Sequence, residues 1–88
     1  MDRLKQLESF VSVAARGSLT AAAKAEGVAP AIMGRRLDAL EERLGVRLLT
    51  RTTRSVSPPE AGERLLQTVG PRLDEIEAEI TAVSDLGD

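Results

Sequence analysis

Two adjacent arginines, Arg35 and Arg36, are the residues of this 88-residue sequence best suited to bind an anion. They lie on a helix predicted over residues 30–44, and the residues just before them are only Pro, Ala, Ile, Met and Gly. A guanidinium presents several N–H donors in a planar fork that matches a phosphate or the O6/N7 edge of guanine. The two arginines are therefore either solvated helix charges or part of a surface that binds a polyanion.

The composition argues against catalytic chemistry. The chain has no Cys and no His, which removes thiol nucleophiles, imidazole bases, disulfides and the usual zinc ligand sets. No pair of carboxylates is fixed by a special local pattern. We therefore predict that the protein is not an enzyme and that this chain binds neither a metal ion nor a cofactor.

The charges are distributed unevenly along the chain, although the formal net charge is only −2. Residues 1–28 carry four basic and three acidic groups, for +1, and residues 29–58 carry six arginines against three acids, for +3. Residues 59–88 carry two arginines against eight acids, for −6. Because local patches direct a polyanion to a surface, the middle third is the predicted nucleic-acid-binding region.

Apolar spacing and turn residues predict three short helices over 3–16, 19–26 and about 30–44. The first helix has an apolar stripe of Leu4, Leu7, Phe10, Val11 and Ala14. Glycines follow each helix at positions 17, 27 and 45, where a left-handed residue commonly ends a helix. Ser18 is a candidate N-cap for the second helix, and Pro30 suits the first turn of the third.

The third helix has one apolar face and one polar face. Its predicted buried stripe has spacings of four, three and four and consists of Met33, Leu37, Leu40 and Leu44. At 100° per residue the opposite face carries Ala31, Arg35, Asp38 and Glu42, with Arg36 on the flank. Arg35 is thus predicted to face solvent or a ligand, whereas Arg36 could instead pair with Glu41 or cover the second helix.

Two short β-prone runs, 46–50 and 55–57, surround a polar "RTTR" link and predict a small hairpin, or wing, over about 47–57. The Pro58-Pro59 pair ends the hairpin and opens a last helix over 60–86. That helix has a heptad seam of Leu66, Val69, Leu73, Ile76, Ile80 and Val83. Gly70-Pro71 interrupts the seam and predicts a kink or break.

These elements predict a mainly α fold: a winged helix-turn-helix of three helices and a two-stranded wing, followed by a long dimerisation helix. The predicted domains are 1–58 for DNA binding and 59–88 for the linker helix. No run reaches the ~18 apolar residues that a membrane span needs, and no signal-peptide pattern is present. A cytoplasmic protein without a membrane partner is expected.

The sequence resembles the N-terminal domain of LysR-type bacterial transcriptional regulators. The resemblance rests on "FVSVAARGSLTAAAKAEGV", "LDALEERLGVRLLTRTTR" and "EAGERLL", which occur in the family's order. It implies sequence-specific binding of double-stranded DNA, with the helix at 30–44 in the major groove and the wing at the minor groove. It also implies a homodimer through the linker helix, and a small-molecule effector only for a sensor domain absent from this chain.

The resemblance also implies roles for particular residues. The base-reading residues would be Ala29, Pro30, Ala31, Gly34 and Arg35. Arg54 would enter the minor groove, and the phosphate contacts would come from Ser18, Thr20, Arg36, Arg51, Thr52 and Thr53. The chain departs from the family where Ala29 replaces a usual Ser or Thr cap, where Gly34 replaces a usual hydroxyl residue, and where Glu26 replaces a common apolar residue.

Several of these residues could also have roles that involve no DNA. Arg54 could be a solvated turn residue, Ser18 could serve only as a helix cap, and the seam of the last helix could fold back on its own domain. A winged helix can also act as a protein–protein adaptor that binds no DNA, and the acidic last helix suits that role. An adaptor, however, has no need of Arg35 and Arg54 on one edge.

Overall fold

A computed structural model of the chain describes residues 3–51, 56–57 and 60–87. Within these ranges the order of elements is three short helices, a pair of two-residue strands and one long helix. They are α1 (Arg3–Arg16), α2 (Leu19–Glu26), α3 (Pro30–Leu44), β1 (Thr50–Arg51), β2 (Val56–Ser57) and α4 (Glu60–Leu86). The predicted bounds of all four helices are confirmed.

A tight turn joins α2 to α3. Gly27 has φ +71°, a conformation that a residue with a Cβ adopts at a cost. Its N–H donates to the Lys24 carbonyl at 3.2 Å, and the Val28 N–H donates to the Ala23 carbonyl at 3.0 Å. These bonds satisfy the last carbonyls of α2 and turn the chain directly into α3.

The hydrophobic core lies where α1, α2 and α3 meet the segment that follows α3. Ala22 and Ala23 are buried, and their small side chains allow α2 to approach its neighbours closely. The buried apolar side chains are Phe10, Val13, Ala22, Ala23, Met33, Leu37, Leu40, Leu48 and Leu49. On α1 the prediction was wrong for Leu4, which is 40% exposed, while Gln6 and Ser9 are buried. Ser9 accepts a hydrogen bond from a side chain of α3, which gives this buried hydroxyl a polar partner.

The predicted stripe of α3 is confirmed for Met33, Leu37 and Leu40 but wrong for Leu44, which is 45% exposed. Gly45 adopts φ +73° and redirects the chain, so that Leu48 and Leu49 enter the core in place of Leu44. Leu44 instead lines an open groove of about 750 Å³ between the end of α3 and the start of α4.

The two strands pair antiparallel, with Thr50 opposite Ser57 and Arg51 opposite Val56. β1 is shorter than the predicted run 46–50, since residues 46–49 are not in a strand. In place of a partner strand, a side chain of α3 binds the backbone N–H groups of Leu48 and Leu49. Residues 52–55, which connect the strands, lie outside the described residues.

The long helix α4 continues from Glu60 to Leu86 with Pro71 inside it, so the predicted break is absent. Proline removes one backbone N–H, and its ring crowds the Cβ of the residue before it. Here that residue is Gly70, which has no Cβ, so the local clash is reduced. Leu65 and Leu66 pack against the core, which anchors the first half of α4 to the domain.

Candidate nucleic-acid interface

The face of α3 turned away from the core is exposed, as its spacing predicts. Arg35 is exposed there together with Ala31, Asp38 and Glu42. The opposite face is fixed, because Met33 and Leu40 have no exposed surface and Leu37 has 1%. The helix can therefore present Arg35 to a ligand without disturbing the core.

The N-terminus of α3 offers a smooth surface of small residues. Ala29 is the N-cap, with φ −69° and ψ 147°, and makes no side-chain capping bond. Ala29, Pro30 and Ala31 are all exposed. Gly34 is half-buried, yet a Cβ placed there would meet no atom within 4 Å. Packing therefore leaves room at Gly34 for the hydroxyl side chain expected at this position.

Arg36 lies in a polar cluster between α1, α2 and α3 rather than on the exposed face. Its Nη1 donates to Ser9 Oγ at 3.3 Å and lies 3.5 Å from Glu26 Oε1. The side chains of Arg36 and Glu26 are only 15% and 20% exposed. Arg36 thus pairs with Glu26, and this geometry does not favour a phosphate contact, which stays a prediction. Glu26, which stands where the family commonly has an apolar residue, is therefore paired with a cation.

Ser18 caps α2, since its Oγ accepts a hydrogen bond from the Ala21 N–H at 3.1 Å. Its backbone is extended, with φ −154° and ψ 127°, as an N-cap requires. Thr20 is exposed one residue into the helix. The predicted cap is confirmed, and the free N–H groups of a helix N-terminus are suited to bind an anion at the same place.

The hairpin supplies the remaining candidates. Thr50 is exposed, and the backbone of Arg51 pairs with Val56. The side chain of Arg51 and the whole of Thr52, Thr53 and Arg54 lie outside the described residues, so their roles stay predictions.

One residue important for this surface was missed by the sequence reasoning. Glu41 on α3 accepts hydrogen bonds at its Oε2 from the backbone N–H groups of Leu48, at 2.7 Å, and Leu49, at 3.2 Å. Its Oε1 lies 3.9 Å from Arg47 Nη1. Backbone N–H donors occur at every non-proline residue, so residue types alone could not show that Glu41 would bind those of Leu48 and Leu49.

The seam of α4 divides into two parts. Leu66 packs against the core, and Leu73 lines a shallow groove with Val11 and other residues of α1. The C-terminal part is open, with Ile76, Ile80 and Val83 exposed by 44%, 57% and 57%. Val69, which belongs to the first part, is half-buried. The seam thus folds back on its own domain only in its first half.

Two further features concern the described residues alone. None of their helices combines the length and the apolar character that a bilayer crossing requires. They also bring no group of three acidic side chains together in a way that could hold a metal ion.

Residues 4–63 match the protein family described as "Bacterial regulatory helix-turn-helix protein, lysR family". A protein of Pseudomonas aeruginosa is 54% identical over 85 residues, which are 97% of this chain and 28% of that protein. The HTH-type transcriptional regulator PgrR of Escherichia coli is 46% identical over 85 residues, again 97% of this chain and 28% of the relative. The chain thus spans little more than a quarter of the length of these relatives.

The fold is similar to that of the BenM DBD in its complex with catB site 1 DNA. The TM-score is 0.87 at 28% identity, and the match covers 99% of this chain and 97% of that one. The full-length Vibrio cholerae virulence activator AphB, a member of the LTTR family, gives a TM-score of 0.89 at 33% identity, over 96% of this chain and 29% of that one. The named relatives are transcriptional regulators, which confirms the prediction that the chain is not an enzyme. The chain belongs to the lysR family of bacterial regulatory helix-turn-helix proteins.

Proposed function

We propose that this chain is the DNA-binding domain of a LysR-type transcriptional regulator and binds double-stranded DNA in a sequence-specific manner. The observation that carries the proposal is the exposed Arg35 on a helix whose opposite face is locked into the core. The DNA complex of the BenM DBD, which has the same fold over almost the whole chain, supports it.

The recognition helix is α3, and its N-terminal half lies in the major groove. A groove about 12 Å wide admits one α-helix, and small residues at positions 29–31 let the backbone approach the bases closely. Arg35 donates to guanine O6 and N7 or to a phosphate, while the methyl group of Ala31 contacts a thymine methyl. Ala29, Pro30 and Gly34 complete the base-reading surface.

Contacts to the DNA backbone set the register of α3. The N-terminus of α2, with Ser18 and Thr20, binds one phosphate. The wing, which is the hairpin of β1 and β2 with its connection, supplies further phosphate contacts from Arg51, Thr52 and Thr53. Arg54 enters the minor groove, where A·T-rich DNA has an enhanced negative potential. Arg36 would add a phosphate contact only if its guanidinium left Glu26, from which it lies 3.5 Å away.

A homodimer forms through the C-terminal half of α4. Ile76, Ile80 and Val83 are exposed at helical spacing, and burying apolar surface of this kind against a second copy releases water. In this proposal residues 1–58 bind DNA and residues 59–88 pair the two copies. Two-fold symmetry then places two recognition helices on successive major-groove faces. The assembly acts in the cytoplasm, where the bacterial chromosome lies.

The direct test is a fluorescence titration of an A·T-containing duplex at several salt concentrations with wild-type, Arg35→Ala and Arg54→Ala protein. We expect log K to fall linearly with log[salt], with a slope of about −0.9 per neutralised phosphate. Both variants should bind more weakly. Arg43→Ala is the matched control, because Arg43 is exposed near the far end of the same helix and has no assigned contact.

The proposal fails if folded wild-type protein does not bind at low salt. It also fails if Arg35→Ala binds as well as Arg43→Ala. Either result would favour the adaptor function, in which the exposed face of α3 has no nucleic-acid partner.

A further inference from the structure

We propose that Glu41 is a positioning residue that fixes the wing relative to the recognition helix and thereby determines how strongly the wing contacts DNA. The inference rests on the proposed function, since it assumes that both α3 and the wing meet DNA. Glu41 itself touches no DNA in this proposal. It acts through the two residues that lead into β1.

The contacts of Glu41 join the two DNA-binding elements directly. Its Oε2 accepts from the N–H of Leu48 at 2.7 Å and of Leu49 at 3.2 Å. Glu41 belongs to the last turns of α3, whereas Leu49 immediately precedes β1 at Thr50. The side chain of Glu41 is only 13% exposed, so water competes weakly for these bonds. A single carboxylate oxygen thus holds the two backbone N–H groups that lead into the wing.

The side chains of Leu48 and Leu49 alone do not fix the direction of the wing. Both are buried, with 2% and 1% exposure, which anchors their Cβ atoms in the core. Their segment is not in a strand, so its N–H groups lack the ladder that orients residues in a sheet. The bonds to Glu41 replace that ladder and set the backbone angle at which β1 leaves the core.

Two substitutions of Glu41 distinguish the effect of its side-chain length from the effect of its charge. Both N–H groups bind the same oxygen, and an amide oxygen has two lone pairs that can accept both. Glu41→Gln therefore retains the positioning contacts without the charge. Glu41→Asp retains the charge but is shorter by one methylene, so its carboxylate falls short of the two N–H groups. The pair with Arg47 contributes little, because it is long, at 3.9 Å, and Arg47 is 68% exposed.

The experiment measures DNA affinity and its salt slope for Glu41→Gln and Glu41→Asp, each in the wild-type and the Arg54→Ala background, with the A·T-containing duplex. Glu42→Asp is the matched control, because Glu42 is the next residue on the same helix and is exposed. Hydrogen exchange at the Leu48 and Leu49 amides reports the loss of the bonds independently of DNA.

We expect Glu41→Asp to bind about three- to tenfold more weakly than wild type, with a salt slope smaller by about one unit, as for the loss of one cationic contact. Its Leu48 and Leu49 amides should exchange faster while the core amides stay protected. Glu41→Gln and Glu42→Asp should stay within about twofold of wild type. In the Arg54→Ala background Glu41→Asp should have almost no further effect, because the contact that it misplaces is already missing.

Several results would overturn the inference. If Glu41→Gln bound DNA weakly and Glu41→Asp bound it normally, the charge of residue 41 would matter and the length of its side chain would not. Equal losses for Glu41→Asp with and without Arg54 would show an effect unrelated to the wing, and unfolding of Glu41→Asp would make Glu41 a residue of general stability. Wild-type binding with an unaffected Glu41→Asp would refute this inference alone, whereas absent wild-type binding would refute the proposed function as well.

Discussion

At the scale of single residues, the neighbouring arginines Arg35 and Arg36 have different surroundings. Successive side chains on an α-helix are separated by 100°, and this rotation leaves Arg35 exposed while it turns Arg36 toward Ser9 and Glu26. The guanidinium of Arg36 links three helices, and that of Arg35 is available to a ligand. Two identical side chains thus differ in surroundings: Arg36 contacts neighbouring helices, and Arg35 is exposed.

This division predicts a crossover between two alanine variants. Arg36→Ala should lower the free energy of unfolding by about 1–2 kcal/mol, because it leaves the mostly buried carboxylate of Glu26 without its cation. Arg35→Ala should change it by less than about 0.5 kcal/mol, as exposed substitutions usually do. Urea unfolding measures both values, and DNA titration should rank the two variants in the reverse order. Weakened DNA binding by Arg36→Ala without any loss of stability would instead support a phosphate contact by Arg36.

At the scale of elements, α4 has two different environments along its length. Its first half packs Leu65 and Leu66 against the core, and its second half exposes Ile80 and Val83. Pro71 lies near the point where one role gives way to the other, and the helix passes through it without a break. The missing N–H of Pro71 leaves the Gln67 carbonyl without its usual i+4 donor.

Pro71→Ala should therefore stabilise α4. The substitution restores one backbone hydrogen bond and removes the ring, and we expect the free energy of unfolding to rise by about 1–3 kcal/mol. Circular dichroism at the helical minimum during urea unfolding measures the effect. Ala78→Pro is a control of opposite sign in the exposed half of the same helix. An unchanged unfolding midpoint for Pro71→Ala would show that the helix pays no penalty at this proline.

At the scale of the whole molecule, the shape is elongated and the charge is unevenly distributed. The chain measures 45 × 26 × 22 Å, and a 27-residue helix accounts for about 40 Å of the long dimension. The basic middle third and the acidic last third are segregated, which separates the proposed DNA surface from the proposed dimer surface. A chain of this size is marginally stable alone, so a second copy would add to its stability.

Ile80→Glu should convert the proposed dimer to monomer, because it places a charge in the centre of the exposed apolar seam. Sedimentation equilibrium should show the change, and the wild-type unfolding midpoint should rise with protein concentration whereas that of the variant should not. Thr81→Glu is the matched control: it adds the same carboxylate at the next position, where the side chain is exposed about 100° away from Ile80. Equal dimerisation of the two variants would place the interface elsewhere.

The sequence by itself determined the helical framework of this protein. Local signals are sufficient there: apolar spacing predicts α1 to α4, Ser18 caps α2, and Pro30 and Gly45 mark the two ends of α3. The exposed face with Arg35 follows from the same periodicity, because the rotation per residue is fixed by the helix. The resemblance to LysR-type regulators depends on these same segments, and the family match confirms it.

Only the tertiary structure decided which partners the remaining side chains found. Arg36 pairs with Glu26, and Glu41 binds the backbone of Leu48 and Leu49. Leu44 is exposed and lies outside the core. Each outcome depends on how a turn or a neighbouring helix brings distant groups within hydrogen-bonding or van der Waals range. Residue types and spacing do not predict such distances, because they describe one element at a time. These contacts join several elements.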